Sequence, residues 1–175
     1  MFWLIAVSAG AAILYLFLSV KAPNAIHAKF GLRPTEWSLI STDLGRGRGR
    51  RRRLYGFGVA GEPDAVFRGK QTGQLVVGEY KNRLFKGYVR RREYYQVILY
   101  IGLTRNAYQS TNVVGVLSFK DTRVEIAHNE PLFRALIGMR GEVVDSLKRR
   151  KPINQSPLHK RIDIVTGNQK FRFPR

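Results

Sequence analysis

Five residues in this chain have types and spacings that suit joint chemistry: Asp64, Glu79, Lys81, Gln96 and Tyr100. Glu79 and Lys81 stand two apart at the end of the apolar run that begins at Leu75. On a strand, both side chains leave the same face while Tyr80 leaves the other. With Asp64 on a neighbouring strand, its carboxylate and that of Glu79 can share one hard divalent cation, with Lys81 beside the water that such a cation activates. Hydrolysis of a phosphodiester calls for that combination: a cation to neutralise the phosphate and acidify water, and an amine to orient or deprotonate the nucleophile. Gln96 and Tyr100 fall one helical turn apart, where an amide and a phenol can hydrogen-bond a phosphate or the catalytic groups and stack on a base. Taken singly, each motif also fits a plain alternative, with the three charges at strand ends and the Gln–Tyr pair on a polar helix flank.

The composition narrows the partners. The chain has 175 residues, with 31 Lys plus Arg against 12 Asp plus Glu and a formal charge of +19. Such an excess favours a polyanion, either nucleic acid or an anionic membrane surface. There is no cysteine. Disulfides, thiol catalysis, Cys-ligated zinc and iron–sulfur clusters are thereby excluded, which leaves hard-cation chemistry through carboxylates or His. The length suits one domain with a proper core.

The elements that must position these residues follow from the patterning. Phe2 to Val20 carry no charge and span about 28 Å as a helix, the thickness of a bilayer core. We read residues 1–21 as a transmembrane anchor. A cleaved signal peptide is the competing reading, but no Lys or Arg precedes the run and Pro23 spoils the cleavage context. Lys21 and the Arg clusters follow the run, which places the large domain on the cytoplasmic side of the cell membrane.

Residues 22–53 read as a juxtamembrane amphipathic helix, up to Asp43, and an Arg-rich loop. Strands are expected at Leu54–Val59, Ala65–Phe67 and Leu75–Lys81, as a meander, because the turns between them are too short for crossovers. Tyr94, Val97, Ile98 and Ile101 recur at helical spacing, with Gly102 and Thr104 marking the end of that helix. Two strands, Val113–Phe119 and Val124–Ala127, precede a helix that starts at Asn129-Glu130-Pro131. That helix carries Leu132, Leu136, Val143 and Leu147 on one stripe until Pro152. The order predicts a mixed α/β domain over 54–150 and a basic tail over 151–175.

The segments Leu54-Tyr55-Gly56, Gly61-Glu62-Pro63-Asp64, Val77-Gly78-Glu79-Tyr80-Lys81 and Gln96-X-X-X-Tyr100 together resemble the nuclease core of the PD-(D/E)XK superfamily in its RecB-like branch. Within that branch the similarity is greatest to the CRISPR-associated nucleases of the adaptation machinery, and it covers about residues 50 to 150. It implies an α/β fold with a restriction-endonuclease-like mixed sheet flanked by helices. It also implies that Asp64 and Glu79 bind Mg²⁺ or Mn²⁺, that Lys81 is catalytic, and that Gln96 and Tyr100 serve the active site and contact DNA. A further metal ligand, commonly His, comes from the first helix in that branch; His27 is the nearest match and Glu36 the second. The CRISPR-associated relatives usually carry cysteines for an iron–sulfur cluster. This chain has none, so neither a cluster nor a CRISPR role is expected.

Arg48, Arg50, Arg51, Arg52 and Arg53 directly precede the first expected core strand and are candidates to neutralise DNA phosphates. A polybasic segment next to a membrane also binds anionic headgroups, at about 1 kcal/mol per basic residue. The tail has the same two readings, with Phe171 and Phe173 interleaved among cations so as to stack on bases or dock on lipid. Two functions therefore stand at this stage: a membrane-anchored, metal-dependent DNA nuclease, and a non-catalytic tethered protein that grips DNA or acidic lipid.

Overall fold

The computed structural model describes residues 24–44, 51–162 and 171–174. The transmembrane anchor expected over 1–21 lies outside the described residues, as do Arg48 and Arg50. Among the described residues, no helix is long and apolar enough to cross a membrane.

The described residues begin with α1 (residues 24–30), which stops at Gly31, whose φ of +68° a side chain would strain. Strand β1 (Trp37–Thr42) follows. Here the structure corrects the expectation of helix up to Asp43. Pro34 interrupts the segment, and Trp, Ile and Thr between 37 and 42 favour an extended backbone that pairs antiparallel with β4 (Ala65–Gly69). A second correction concerns 54–59. Phe57 and Gly58 both take positive φ, 53° and 71°, and fold the segment into a hairpin of β2 (Leu54–Gly56) and β3 (Val59–Gly61) that forms a separate two-stranded sheet.

The main sheet has five strands in the order β1-β4-β5-β6-β7, with β5 (Leu75–Tyr80) at its centre. The β4–β5 pair is an antiparallel hairpin, whereas β5 and β6 (Val113–Ser118) run parallel. A parallel pair requires a crossover, and α2 (Arg91–Tyr108) supplies it. Strand β7 (Arg123–Ile126) pairs antiparallel with β6. The result is a mixed sheet with helices on both faces.

The central strand is buried on both faces, and its alternation decides what each helix touches. Leu75 and Val77 join Val97, Ile98 and Ile101 of α2 in one core cluster. Val76 joins Ile26 and Phe30 of α1, together with Phe67 and Val116, in the other. Gly78 must lack a side chain because the Phe30 ring occupies the place of its Cβ. Gly102 does not end α2. It lies inside the helix, where the Phe133 ring packs directly on its backbone, and the helix closes at Gln109 in the left-handed conformation.

The single C-terminal helix expected up to Pro152 is two: α3 (Glu130–Gly138), capped by the Asn129 side chain on the Leu132 N–H, and α4 (Arg140–Arg149). Leu132 and Phe133 are buried, but Val143 and Leu147 are exposed, so the stripe serves the core only through α3. A short α5 (Leu158–Arg161) is tied to α4 by a two-pronged Arg161–Glu142 pair at 2.6 and 2.8 Å. Phe171 and Phe173 pack on the buried Tyr94 ring, with centroids at 5.1 and 5.6 Å, so the tail aromatics are core-facing rather than presented to bases or lipid.

Candidate active site

The β4–β5 hairpin and the α2 crossover bring four of the five candidates into one hydrogen-bonded cluster, with the fifth, Asp64, on its flank. Glu79 is the last residue but one of β5 and leaves the sheet on the α2 face, following Leu75 and Val77. Its Oε1 accepts from Lys81 Nζ at 2.7 Å and from Gln96 Nε2 at 2.9 Å. Lys81 Nζ also donates to Gln96 Oε1 at 3.2 Å, closing a three-membered ring of side chains. The amide orientation is dictated by chemistry, since the NH₂ meets a carboxylate and the carbonyl meets an ammonium. Gln96 Nε2 also reaches the Tyr100 hydroxyl at 3.1 Å. Two of the three Lys81 ammonium protons are thus used, and one is left for a substrate oxygen or water.

Asp64 immediately precedes β4, where Thr42 Oγ1 donates to its carbonyl at 2.8 Å and fixes its backbone against β1. Its Oδ2 accepts from the Tyr80 N–H at 2.6 Å, directly between Glu79 and Lys81 in sequence. Burial pushes the Asp64 carboxyl above its ordinary range; the Tyr80 N–H opposes this, Asp43 adds to it, and Lys81 and Lys29 draw it back. Glu79 is pushed up by burial and next by the Asp64 charge, against the pull of Lys81 and Gln96. Two carboxylates thus stand in one partly dry region, and the Asp64 charge makes Glu79 harder to ionise. Tyr100 is likewise pushed up by burial, so its phenol keeps its proton and, while accepting from Gln96, can still donate it.

The donor set fits a hard divalent cation. One oxygen of each carboxylate, Asp64 Oδ1 and Glu79 Oε2, has no hydrogen-bond partner among the described residues. A positive ion beside them would favour the charged form of both carboxyls, against the burial that pushes them up. Among the described residues no group of three His, Cys, Asp or Glu side chains gathers to hold a metal. A cation held here would therefore have at most two protein carboxylates and would need other oxygens to complete its shell.

His27 is not in this cluster. Its ring packs edge-on against Phe67 at 5.1 Å and its Nε2 meets the Trp37 carbonyl at 3.0 Å. Phe67 belongs to the α1 face of the sheet, and Glu79 projects from the α2 face, so the sheet itself separates His27 from Glu79. Glu36, the second candidate, is paired on the surface with Arg33 at 3.0 Å. Of the described arginines in the basic loop, Arg53 approaches Glu62 at 3.9 Å and lines the cleft beside Tyr100. Arg52 instead lies over the Tyr108 ring at 5.0 Å, at the far end of α2, and Arg51 is exposed.

Two cavities meet at the cluster, and both are lined by Gln96 and Arg92. The larger, about 810 Å³, runs from the β3 backbone across Tyr100 and Leu103 to Leu136 and Met139. The smaller, about 350 Å³, is lined by Lys81 and by cations near the start of α2. Neither Asp64 nor Glu79 lines them, so each cavity reaches the carboxylates only through Gln96 or Lys81. Gly61 has a definite task at the larger cavity: a Cβ there would stand 2.7 Å from Tyr100 Cε1, so its absence is what lets the phenol lie against β3.

Sequence reasoning overlooked Glu93 and its partners. Glu93 is buried and accepts twice from Arg83 Nη2, at 2.8 and 3.1 Å, and from the Arg90 N–H at 3.1 Å. The signal was present in Arg90-Arg91-Arg92-Glu93, where an acid follows three cations at a helix start, but the burial of Glu93 comes from Arg83 on a separate loop.

No family model matches the chain, and no curated protein matches it. Among solved structures, the chain is similar to the crystal structure of SSO0001 at 22% identity and a TM-score of 0.38, covering 86% of this chain and 65% of that one. It is also similar to a chain in the structure of an EndoMS-dsDNA2 complex at 17% identity and a TM-score of 0.34, covering 68% of this chain and 41% of that one. The chain thus spans less than two thirds of either structure's own length, and both likenesses are too faint to bear on the site.

Proposed function

We propose that this chain is a metal-dependent deoxyribonuclease of the PD-(D/E)XK type, with a restriction-endonuclease-like sheet and the RecB-like Gln–Tyr helix. The observation that carries this reading is the closed Glu79–Lys81–Gln96 ring beside Asp64, whose charge raises the cost of ionising Glu79. A purely structural ion pair gains nothing from a second carboxylate beside it, whereas a cation site requires one. In this reading Asp64 and Glu79 would hold Mg²⁺ or Mn²⁺. When bound, the ion supplies charge neutralisation at the scissile phosphate and lowers the pKa of water. Lys81 turns its remaining N–H toward the phosphate or the attacking water. Gln96 keeps Lys81 and Glu79 in register, and Tyr100 presents a protonated hydroxyl to the substrate backbone.

The partner is DNA, gripped by the basic surface that includes Arg51, Arg52 and Arg53. Residues 1–21 anchor the chain in the cell membrane by a single pass, with the nuclease domain cytoplasmic. The deciding experiment is digestion of single- and double-stranded DNA with Mg²⁺, with Mn²⁺ and with EDTA, by the wild-type chain and by E79A and K81A. The proposal expects metal-dependent cleavage that both substitutions abolish while DNA binding persists. A tethered binder would show no cleavage under any condition and only a steep salt dependence of binding, which would overturn the enzymatic reading.

A further inference from the structure

The smaller cavity, at the start of α2, holds more positive charge than the fold consumes. Lys81, Asn82, Arg83, Arg90 and Arg92 line it, with Glu93 as its one acid. Glu93 is spent on Arg83 and on the Arg90 N–H, and the Lys81 charge is spent on Glu79. Among the described residues, neither the Arg90 nor the Arg92 guanidinium forms an ion pair with a carboxylate. Two guanidiniums without an ion-pair partner among the described residues thus line one cavity.

We propose that this cavity binds the terminal phosphate of a DNA strand. The inference rests on the nucleic-acid reading above, though not on cleavage. A terminal phosphomonoester carries about 1.5 to 2 negative charges near neutrality, against one for an internal diester. Two free guanidiniums match the former. Each offers a planar fork of N–H donors of the kind that chelates phosphate oxygens. The cavity also opens at the N-terminus of an 18-residue helix, whose dipole adds positive potential at that end. Its volume of about 350 Å³ accommodates a phosphate and the sugar that bears it.

Position gives the site its consequence. Lys81 and Gln96 belong both to this cavity and to the ring around Glu79. A strand end held by Arg90 and Arg92 therefore places linkages of that same strand beside Asp64 and Glu79. Strand ends that bear a phosphate are the favoured ligands, and hydroxyl ends are bound by the general basic surface alone.

The test measures binding in EDTA, so that cleavage plays no part. Single-stranded oligonucleotides of one sequence, labelled internally, carry a 5′-phosphate, a 3′-phosphate or hydroxyls at both ends, and anisotropy titrations give Kd for each. The expected result is about tenfold tighter binding of at least one phosphorylated form, lost in R90Q/R92Q. The preference should be retained in R33Q/R134Q, which removes two exposed charges elsewhere, and largely retained in R90K/R92K. Because Arg92 is exposed, R92Q alone, with an unchanged melting temperature, gives a reading even if Arg90 is needed for the helix start. Equal affinity for all three oligonucleotides overturns the proposal, as does a preference that survives in R90Q/R92Q. A phosphate preference without any metal-dependent cleavage would refute the nuclease reading and leave this site standing; cleavage without a preference would do the reverse.

Discussion

Replacing Glu79 by glutamine should stabilise the metal-free protein at alkaline pH while abolishing cleavage. A carboxyl pushed up by burial and by a neighbouring charge holds its proton more tightly in the folded chain than in the unfolded one. Stability is then fully present below the ordinary carboxylate range and is lost as pH rises through the folded-state value, and Asp64 adds a step of the same sign. At an effective dielectric of about 20, two unit charges 4 Å apart cost each other about 4 kcal/mol, and about half that at twice the distance. Removing one of them in this partly solvated site recovers on the order of 2 kcal/mol. Against that, the 2.7 Å contact from Lys81 becomes a bond to a neutral acceptor and loses about 1 kcal/mol, while the Gln96 contact can persist.

The balance is a gain of about 1 kcal/mol, or about 2–4 °C in melting temperature for a chain of this size. Thermal melts at pH 4 and pH 8, in EDTA and in Mg²⁺, measure it. E79Q should melt above wild type at pH 8 in EDTA and level with it at pH 4. It should also lose the stabilisation that Mg²⁺ gives wild type, which is about 2.7 kcal/mol at a hundredfold excess over Kd. If E79Q melts several degrees lower at pH 8 and still responds to Mg²⁺, Glu79 is an anchor for Lys81 and Gln96, and the cation site is refuted.

Three further outcomes follow from the same structure. His27→Ala should cost about 1–3 kcal/mol of stability through the loss of a buried, hydrogen-bonded ring, yet leave the Mg²⁺ shift in melting temperature intact; a lost shift would restore His27 as a ligand. Gly61→Val must displace Tyr100, whose ring carbons stand 2.7 and 2.9 Å from the new Cβ, and should lower the cleavage rate at least tenfold for about 1–3 kcal/mol of stability; an unchanged rate would show that Tyr100 has no part in turnover. Deleting residues 171–175 removes the Phe171 and Phe173 rings from Tyr94 and the Arg172 carbonyl from the Val89 N–H, and should lower the unfolding free energy by about 2–4 kcal/mol in chemical denaturation; no change would mean that the tail is not part of the core.

What the sequence determined by itself was local. The two-residue period of β5 placed Glu79 and Lys81 on one face, the four-residue spacing placed Gln96 above Tyr100, and Asn129-Glu130-Pro131 opened a helix, because each depends only on backbone geometry within a few residues. The β4–β5 hairpin was legible for the same reason: its turn is too short for anything else. Tertiary structure decided the rest. Residues 37–42 became a strand because β4 offered an unpaired edge, and Leu54–Val59 became a hairpin because two positive φ angles turned it away from the sheet. Gly102 stayed helical because Phe133 needed the space, and Phe171 and Phe173 went to Tyr94 because that ring left an apolar surface to cover. His27 and Glu79 lie on opposite faces of one sheet, a relation set by which strand lies between them and by its register. That relation comes from pairing across long stretches of chain, which no run of neighbouring residues encodes.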